Sequence, residues 1–145
     1  MKKFNANFLE PPKQQLNDLL EYYRAGRFAD AEKLSLSVTQ EFPEHPFAWK
    51  VLGAILKQTN RISESLVASQ KSVQLEPQDA ESQYNLGNTL KVLTRLNDAE
   101  VSYRKAIALK PDFAEAYNNL GITLKEVGKL NDAEVSYRKA IALKP

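Results

Sequence analysis

The sequence predicts an all-α fold, an α-solenoid of four helix-turn-helix hairpins stacked in series. Three observations predict it. Pro43, Pro77, Pro111 and Pro145 recur at intervals of 34 residues. The pairs Leu52-Gly53, Leu86-Gly87 and Leu120-Gly121 recur at the same interval. The segment LNDAEVSYRKAIALKP at 96–111 returns unchanged at 130–145, and 24 of 32 positions agree between 80–111 and 114–145. A period of this length marks stacked hairpins, because one hairpin cannot bury its apolar face alone.

The period divides the chain into an extension at residues 1–11 and an array at 12–145, with repeats at about 12–45, 46–79, 80–113 and 114–145. The extension is either flexible or folded back on the first hairpin through Phe4, Phe8 and Leu9. In the first repeat Asp18-Leu19 stands where the others carry Leu-Gly, so its first helix reads as a cap with one face in water. The second is looser, with Ser65, Ser69 and Ser72 at positions that hold Ala, Tyr and Ala in the third and fourth. In the third, Tyr84, Leu86, Leu90 and Leu93 are spaced for one apolar face, as are Ala99, Tyr103, Ala106, Ile107 and Leu109 for the next.

Between the two helices of each repeat a short turn carries Gly26, Asn60, Thr94 or Gly128. A helix that ends in a left-handed residue favours Gly, then Asn, so Thr94 is the least comfortable of the four. Asn97 and Asn131 are expected to cap the second helices, with Glu100 and Glu134 completing an Asn version of the capping box. Each proline then ends a second helix. Gly53, Gly87 and Gly121 on first helices, with Ala31, Ser65, Ala99 and Ala133 on second helices, mark close helix crossings. Trp49, Tyr117, Phe28, Ile62, Leu96 and Leu130 fill around them.

Composition narrows the function classes. Basic and acidic residues number 20 and 18 and are interleaved, for a net charge of +2. The isoelectric point of about 8.7 falls short of the basic stripe expected of a nucleic-acid binder. Mean hydropathy is -0.47, and no apolar run approaches the ~18 residues of a membrane span. The terminus MKKFNANFLEPP has no apolar stretch behind its lysines and does not read as a secretory signal. There is no Cys, hence no disulfide framework or thiolate metal site, and the expected address is cytoplasmic. The one His, His45, lies in the PEHP link as a surface residue with no nucleophile beside it. No phosphate-binding glycine loop is present. No catalytic residues, metal or cofactor are expected.

Taken together, the Trp or Tyr, Leu-Gly, Ala, aromatic, Ala and terminal Pro positions closely resemble the tetratricopeptide repeat family over roughly residues 12–145. AESQYNLGNTLKVLTRLNDAEVSYRKAIALKP and AEAYNNLGITLKEVGKLNDAEVSYRKAIALKP carry nearly the full pattern. The resemblance implies part of a right-handed superhelix whose first helices line a concave groove for extended peptides or partner helices. It implies no catalysis.

Subtracting the packing positions leaves rows on the first helices. Asn17, Val51, Asn85 and Asn119 form one, Tyr23, Lys57, Lys91 and Lys125 another, Leu16, Lys50, Tyr84 and Asn118 a third, and Leu20, Ala54, Asn88 and Ile122 a fourth. The asparagine row looks like the ladder of the O-linked N-acetylglucosamine transferase superhelix, where amides hold a peptide backbone. That resemblance nominates Asn17, Asn85 and Asn119, with Val51 interrupting the ladder. An amide both donates and accepts, which matches a peptide group whatever its side chain; a plainly solvated Asn row is the alternative. The two-carboxylate clamp of chaperone-tail binders in this family is matched only by Lys50 and Asn85, while Ala54, Glu115 and Asn119 occupy its other places. A chaperone tail is therefore not the expected partner, and Lys57, Lys91 and Lys125 also read as a solvated row.

The groove residues expected to bind are thus Asn17, Lys50, Tyr84, Asn85, Asn88, Lys91, Asn118, Asn119 and Lys125. Arrays of this type close with a polar helix, and none follows the fourth repeat. Tyr137, Ile141 and Leu143 are accordingly expected to be partly uncovered: either the chain is an N-terminal portion of a longer array, or these residues form a self-association face, and the two readings are compatible. Two functions compete: a module that binds a protein or peptide partner in the groove, and a scaffold that forms homo-oligomers through its last repeat.

Overall fold

The computed structural model describes residues 10–145; Phe4, Phe8 and Leu9, proposed above as a flap, lie outside them. Eight helices follow one another: α1 (Lys13–Arg24), α2 (Phe28–Glu41), α3 (Pro46–Gln58), α4 (Ile62–Leu75), α5 (Ala80–Val92), α6 (Leu96–Leu109), α7 (Ala114–Glu126) and α8 (Leu130–Leu143). No strand occurs among the described residues. The fold is the expected all-α array of helical hairpins. The chain forms two compact units, Met1–Glu76 and Pro77–Pro145, of which the first holds α1–α4 and the second α5–α8.

Each hairpin turn is set by one left-handed residue. Gly26 (φ 73°), Asn60 (φ 61°), Thr94 (φ 57°) and Gly128 (φ 85°) are the positions the sequence marked. In all four turns the next amide reaches back to a carbonyl inside the helix: Arg27 to Tyr22 at 2.9 Å, Arg61 to Leu56 at 2.7 Å, Arg95 to Leu90 at 2.9 Å and Lys129 to Leu124 at 2.8 Å. These are Schellman closures, which satisfy carbonyls that the helix end would leave without partners.

The expected asparagine caps do not form. α6 and α8 begin at Leu96 and Leu130, so Asn97 and Asn131 already lie in the first turn, and the residues ahead of the helices are Arg95 and Lys129. The Schellman closure leaves no room for a separate cap residue. At the starts of α2, α4 and α6 an ion pair spans the first turn: Arg27 with Asp30 at 2.8 Å, Arg61 with Glu64 at 2.7 Å and Arg95 with Asp98 at 2.9 Å. The acid also faces the positive end of the helix dipole. Glu100 is redirected to Arg104 (3.0 Å) and Lys129 (3.1 Å), and Glu134 to Arg138 (2.6 Å).

In the first unit α1 packs on α2 and α3, α2 on α3, and α3 on α4. Its core joins Leu19, Ala31, Val38, Phe42, Ala48, Val51 and Ile55. Val51, which broke the asparagine row, is therefore a core residue. A second cluster sets Leu52, Leu56 and Ala68 against Trp49, whose indole N–H donates to the Pro43 carbonyl at 2.9 Å. Ser65, at an alanine position, is fully buried and donates its hydroxyl to the Gly53 carbonyl at 2.7 Å. His45 is less exposed than expected, with 17% of its side chain exposed and Nε2 3.1 Å from the exposed Glu10 carboxylate. It precedes α3, whose first residue is Pro46, so packing of the helix entry draws the imidazole inward.

In the second unit α5 packs on α6, α6 on α7, α7 on α8, and α5 touches α7. Ala106, Phe113 and Ala116 form its central cluster, with Ala80, Tyr84 and Ile107 around them. The Leu-Gly positions act as the sequence implies. A Cβ at Gly87 would come within 2.7 Å of the Tyr103 ring, and one at Gly121 within 2.8 Å of the Tyr137 ring. Only glycine lets these helices approach so closely with an aromatic ring lying over the crossing.

Candidate protein-binding site

The second unit contains an open pocket of about 370 Å³ between α5, α7 and α8. Tyr84, Ala114, Glu115, Asn118, Asn119, Ala140, Ile141 and Lys144 line it. α5 supplies Tyr84, α7 supplies the acid and the two asparagines from successive turns, and α8 supplies the apolar wall. Ile141 is 64% exposed there, and Glu115 and Lys144 form an ion pair at the rim. That pair holds the Glu115 carboxyl below its usual range, chiefly through the Lys144 hydrogen bond.

A polar network supports the pocket floor. The Tyr103 hydroxyl donates to Asn88 Oδ1 at 2.7 Å, and Asn119 Nδ2 donates to Asn88 Oδ1 at 2.9 Å and to the Tyr84 hydroxyl at 3.0 Å. Burial pushes the Tyr103 phenol far above its usual value, with Tyr84 and Glu126 adding to the shift, so it stays a donor. The Tyr84 ring leans on Phe113 at 4.8 Å and on Tyr103 at 6.0 Å between centroids. Asn119 thus has its N–H groups engaged inside the unit, and Asn88 Oδ1 accepts twice. An amide carries only two N–H donors.

Of the residues nominated from sequence, Tyr84, Asn118, Asn119 and Ile141 come together in this pocket, with Asn88 just beneath it. Asn85 and Lys91 on α5 are half-buried, and Lys125 on α7 is exposed, but none of the three lines the pocket. Asn17 and Lys50 belong to the first unit, Asn17 exposed on α1 and Lys50 half-buried on α3. Tyr137 and Leu143 are half-buried, and the strongly exposed apolar residues of α8 are Ile141, Val135 (67%) and Leu130 (63%). The groove and the self-association face, separate in the sequence reading, share Ile141. Sequence reasoning missed Glu115, Lys144, Ala114 and Ala140 as pocket residues. One signal was available: Glu32–Arg61, Glu100–Lys129 and Glu115–Lys144 are ion pairs 29 residues apart, so basic residues at that offset mark contacts between hairpins.

A different face of α7 borders a second opening of about 480 Å³, lined by Arg104, Ile107, Ala108, Tyr117, Leu120, Val135, Ser136 and Lys139. The first unit has a smaller relative of it, about 270 Å³, where Trp49, Leu52, Val67 and Ala68 take the places of Tyr117, Leu120, Val135 and Ser136. Among the described residues no group of three or more His, Asp or Glu could hold a metal ion, and no helix is long and apolar enough to cross a membrane.

Serial hairpins of this geometry define a helical-repeat protein-interaction scaffold. Family models match the C-terminal part: residues 95–128 match the TPR repeat and 114–145 the tetratricopeptide repeat, so residues 95–145 carry tetratricopeptide repeats. A crystal structure of MamA superposes with a TM-score of 0.85 at 22% identity, covering 91% of this chain and 77% of that one. A MamA from Desulfovibrio magneticus gives 0.83 at 21% identity, covering 92% and 76%. An O-GlcNAc transferase from Thermobaculum terrenum gives 0.73 at 27% identity, covering 77% of this chain but 22% of that one. These likenesses concern the fold. No curated protein matches the chain.

Proposed function

We propose that the chain is a non-catalytic module that captures a segment of a partner protein in the pocket between α5, α7 and α8. One observation carries this reading: Ile141, 64% exposed, shares a concave site with Tyr84, Asn118 and Asn119. Recognition sites pair apolar walls with a few placed polar groups, and this pocket has both. Within it Asn118, exposed, supplies the amide that meets a peptide group, while Asn119 holds the floor. The module acts in the cytoplasm and uses no cofactor.

Peptides selected from a displayed library against the chain test this reading. They should lose binding to Ile141→Asp and Asn118→Ala and keep binding to Val135→Asp, at unchanged helical content. Ligands that bind Ile141→Asp as well as the parent would remove the pocket from the function.

A second reading, homo-oligomerisation through α8, is favoured by the joint exposure of Val135 and Ile141. A monomeric mass by light scattering at high concentration would sink it.

A further inference from the structure

The opening between α6, α7 and α8 has an apolar centre and a basic rim. Ile107, Leu120 and Val135 supply the centre, one from each helix, and Val135 is 67% exposed. The charged lining residues are Arg104 on the α6 wall and Lys139 on the α8 wall, and none of the residues lining it is acidic. Arg104 bonds Glu100 through Nε at 3.0 Å, which leaves the terminal nitrogens of its guanidinium open to a ligand. Lys139 is exposed and has no ion pair among the described residues. Tyr117 adds a hydroxyl. At the same position of the two earlier repeats, Trp49 and Gln83 donate to the Pro43 and Pro77 carbonyls at 2.9 and 3.2 Å. The Tyr117 hydroxyl has no partner among the described residues, so it too can meet an acceptor.

The first unit holds the same opening with a different rim. Trp49, Leu52 and Val67 repeat the apolar centre between α2, α3 and α4. At the place of Arg104, two periods earlier, stands Leu36, 44% exposed. Glu32 and Glu64 line that edge and share one guanidinium, Arg61. The apolar centre thus belongs to the hairpin, while the sign of the rim belongs to the unit. From this contrast we propose that the opening between α6, α7 and α8 is a second docking surface, which takes an acidic segment of a partner protein. Charge complementarity names the occupant: one apolar side chain with carboxylates on either side of it. The anchor covers Leu120 and Val135, and the carboxylates meet Arg104 on one wall and Lys139 on the other. Arg104 to Ala108 and Val135 to Lys139 each span about one helical turn, so the opening admits a single anchor. Apolar burial holds that anchor, and the rim selects it against neutral or basic segments. Exposed charge pairs are weak and screened by salt, so the contact is salt-sensitive. This surface shares no lining residue with the pocket between α5, α7 and α8.

The probe is the blocked peptide acetyl-EEFEE-amide, titrated at low ionic strength into the isotope-labelled full chain. The expected result is movement of the Ala108, Ser136 and Lys139 amide signals. The indole N–H of Trp49, the single tryptophan, reports on the first unit's opening and should stay in place. Replacing the glutamates by glutamine, or the phenylalanine by serine, should weaken binding by about threefold or more. Added salt should weaken the glutamate peptide and leave the glutamine peptide unchanged. In the chain, Val135→Asp should remove the shifts, and Ile141→Asp should leave them. Arg104→Leu, which installs the first unit's residue, should weaken binding by about threefold or more. Equal binding of the glutamate and glutamine peptides overturns the proposal, as does equal movement of the Trp49 indole. Signals that no peptide moves overturn it as well. Shifts confined to Asn118 and Ile141 overturn it while leaving the pocket between α5, α7 and α8 as a capture site.

Discussion

Asn119 donates its side-chain amide to the Tyr84 hydroxyl at 3.0 Å, 35 residues away, and so ties α7 to α5. The same amide reaches Asn88 Oδ1 at 2.9 Å, which also accepts from the fully buried Tyr103. One of the three asparagines nominated as ladder rungs is thus a joint between hairpins. Its neighbour Asn118 lies exposed at the pocket edge, where the proposed capture of a partner segment would use it.

That division of labour predicts opposite effects for adjacent substitutions. Asn119→Ala removes two hydrogen bonds at once and should destabilise the second unit by about 1–3 kcal/mol. Asn118→Ala should leave stability within about 0.5 kcal/mol of the parent, as for other exposed sites. Urea unfolding followed by circular dichroism measures both. Equal stability of the two variants would show that the Asn119 network contributes nothing net.

Gly87 and Gly121 occupy equivalent positions under equivalent tyrosines, yet alanine should cost more at Gly87. An added Cβ meets the ring at 2.7 Å in one case and 2.8 Å in the other. Tyr103 is fully buried and cannot retreat, whereas Tyr137 is half-buried on α8 and can swing outward. Alanine is intrinsically better in a helix by about 1 kcal/mol, which offsets part of the clash. Gly87→Ala should therefore lose about 1–2 kcal/mol, since overpacking costs about 1–3 kcal/mol, and Gly121→Ala should be close to neutral. Melting temperatures of the two variants decide it.

Thr94 holds φ at 57° with a β-branched side chain, in a turn where the first and fourth hairpins use glycine. Its hydroxyl donates only to the Leu93 carbonyl, on the exposed surface. Non-glycine residues in this region store on the order of 1–3 kcal/mol of strain. Thr94→Gly should relieve enough of it to stabilise the protein by about 1 kcal/mol, after the extra backbone entropy of glycine is counted. An unchanged or lower midpoint in urea would show that the Thr94 backbone is not strained.

The all-α class, the hairpin turns and the close glycine crossings were legible in the sequence because each rests on a short-range cause. A left-handed turn favours Gly or Asn, and a ring over a helix needs a missing Cβ. The asparagine caps were misread because Asn97 has the right residue type two positions too late; the Schellman closure at Thr94 puts Arg95 at the cap position and starts the next helix at Leu96. The role of Asn119 was hidden because its partners lie 31 and 35 residues away, on another hairpin, and a row on one helix face does not reveal them. The pocket was legible only in part. Ile141 stood out as an uncovered apolar residue, but nothing short-range places it beside Asn118.

Glu100 gives the stability a pH dependence of definite sign. Its side chain is 12% exposed and bonds Arg104 and Lys129, joining α6 to the residue that opens α8. Burial pushes its carboxyl up, but the hydrogen bonds and charges of Lys129 and Arg104 outweigh this and leave it below its usual value. A carboxylate lowered in the folded state adds stability that is complete above the unfolded value, about 4.3, and is lost as pH falls through the folded one. Glu100→Gln removes the titrating group while keeping its shape. The stability difference between parent and Glu100→Gln should therefore be constant from neutral pH to about pH 5 and shrink below it, as the parent protonates toward the state the variant mimics. Urea midpoints at intervals between neutrality and the lowest pH at which both proteins remain folded test this. A difference that stays constant across the acid range would mean that Glu100 has no lowered carboxyl, and that its contacts to Arg104 and Lys129 act through packing rather than charge.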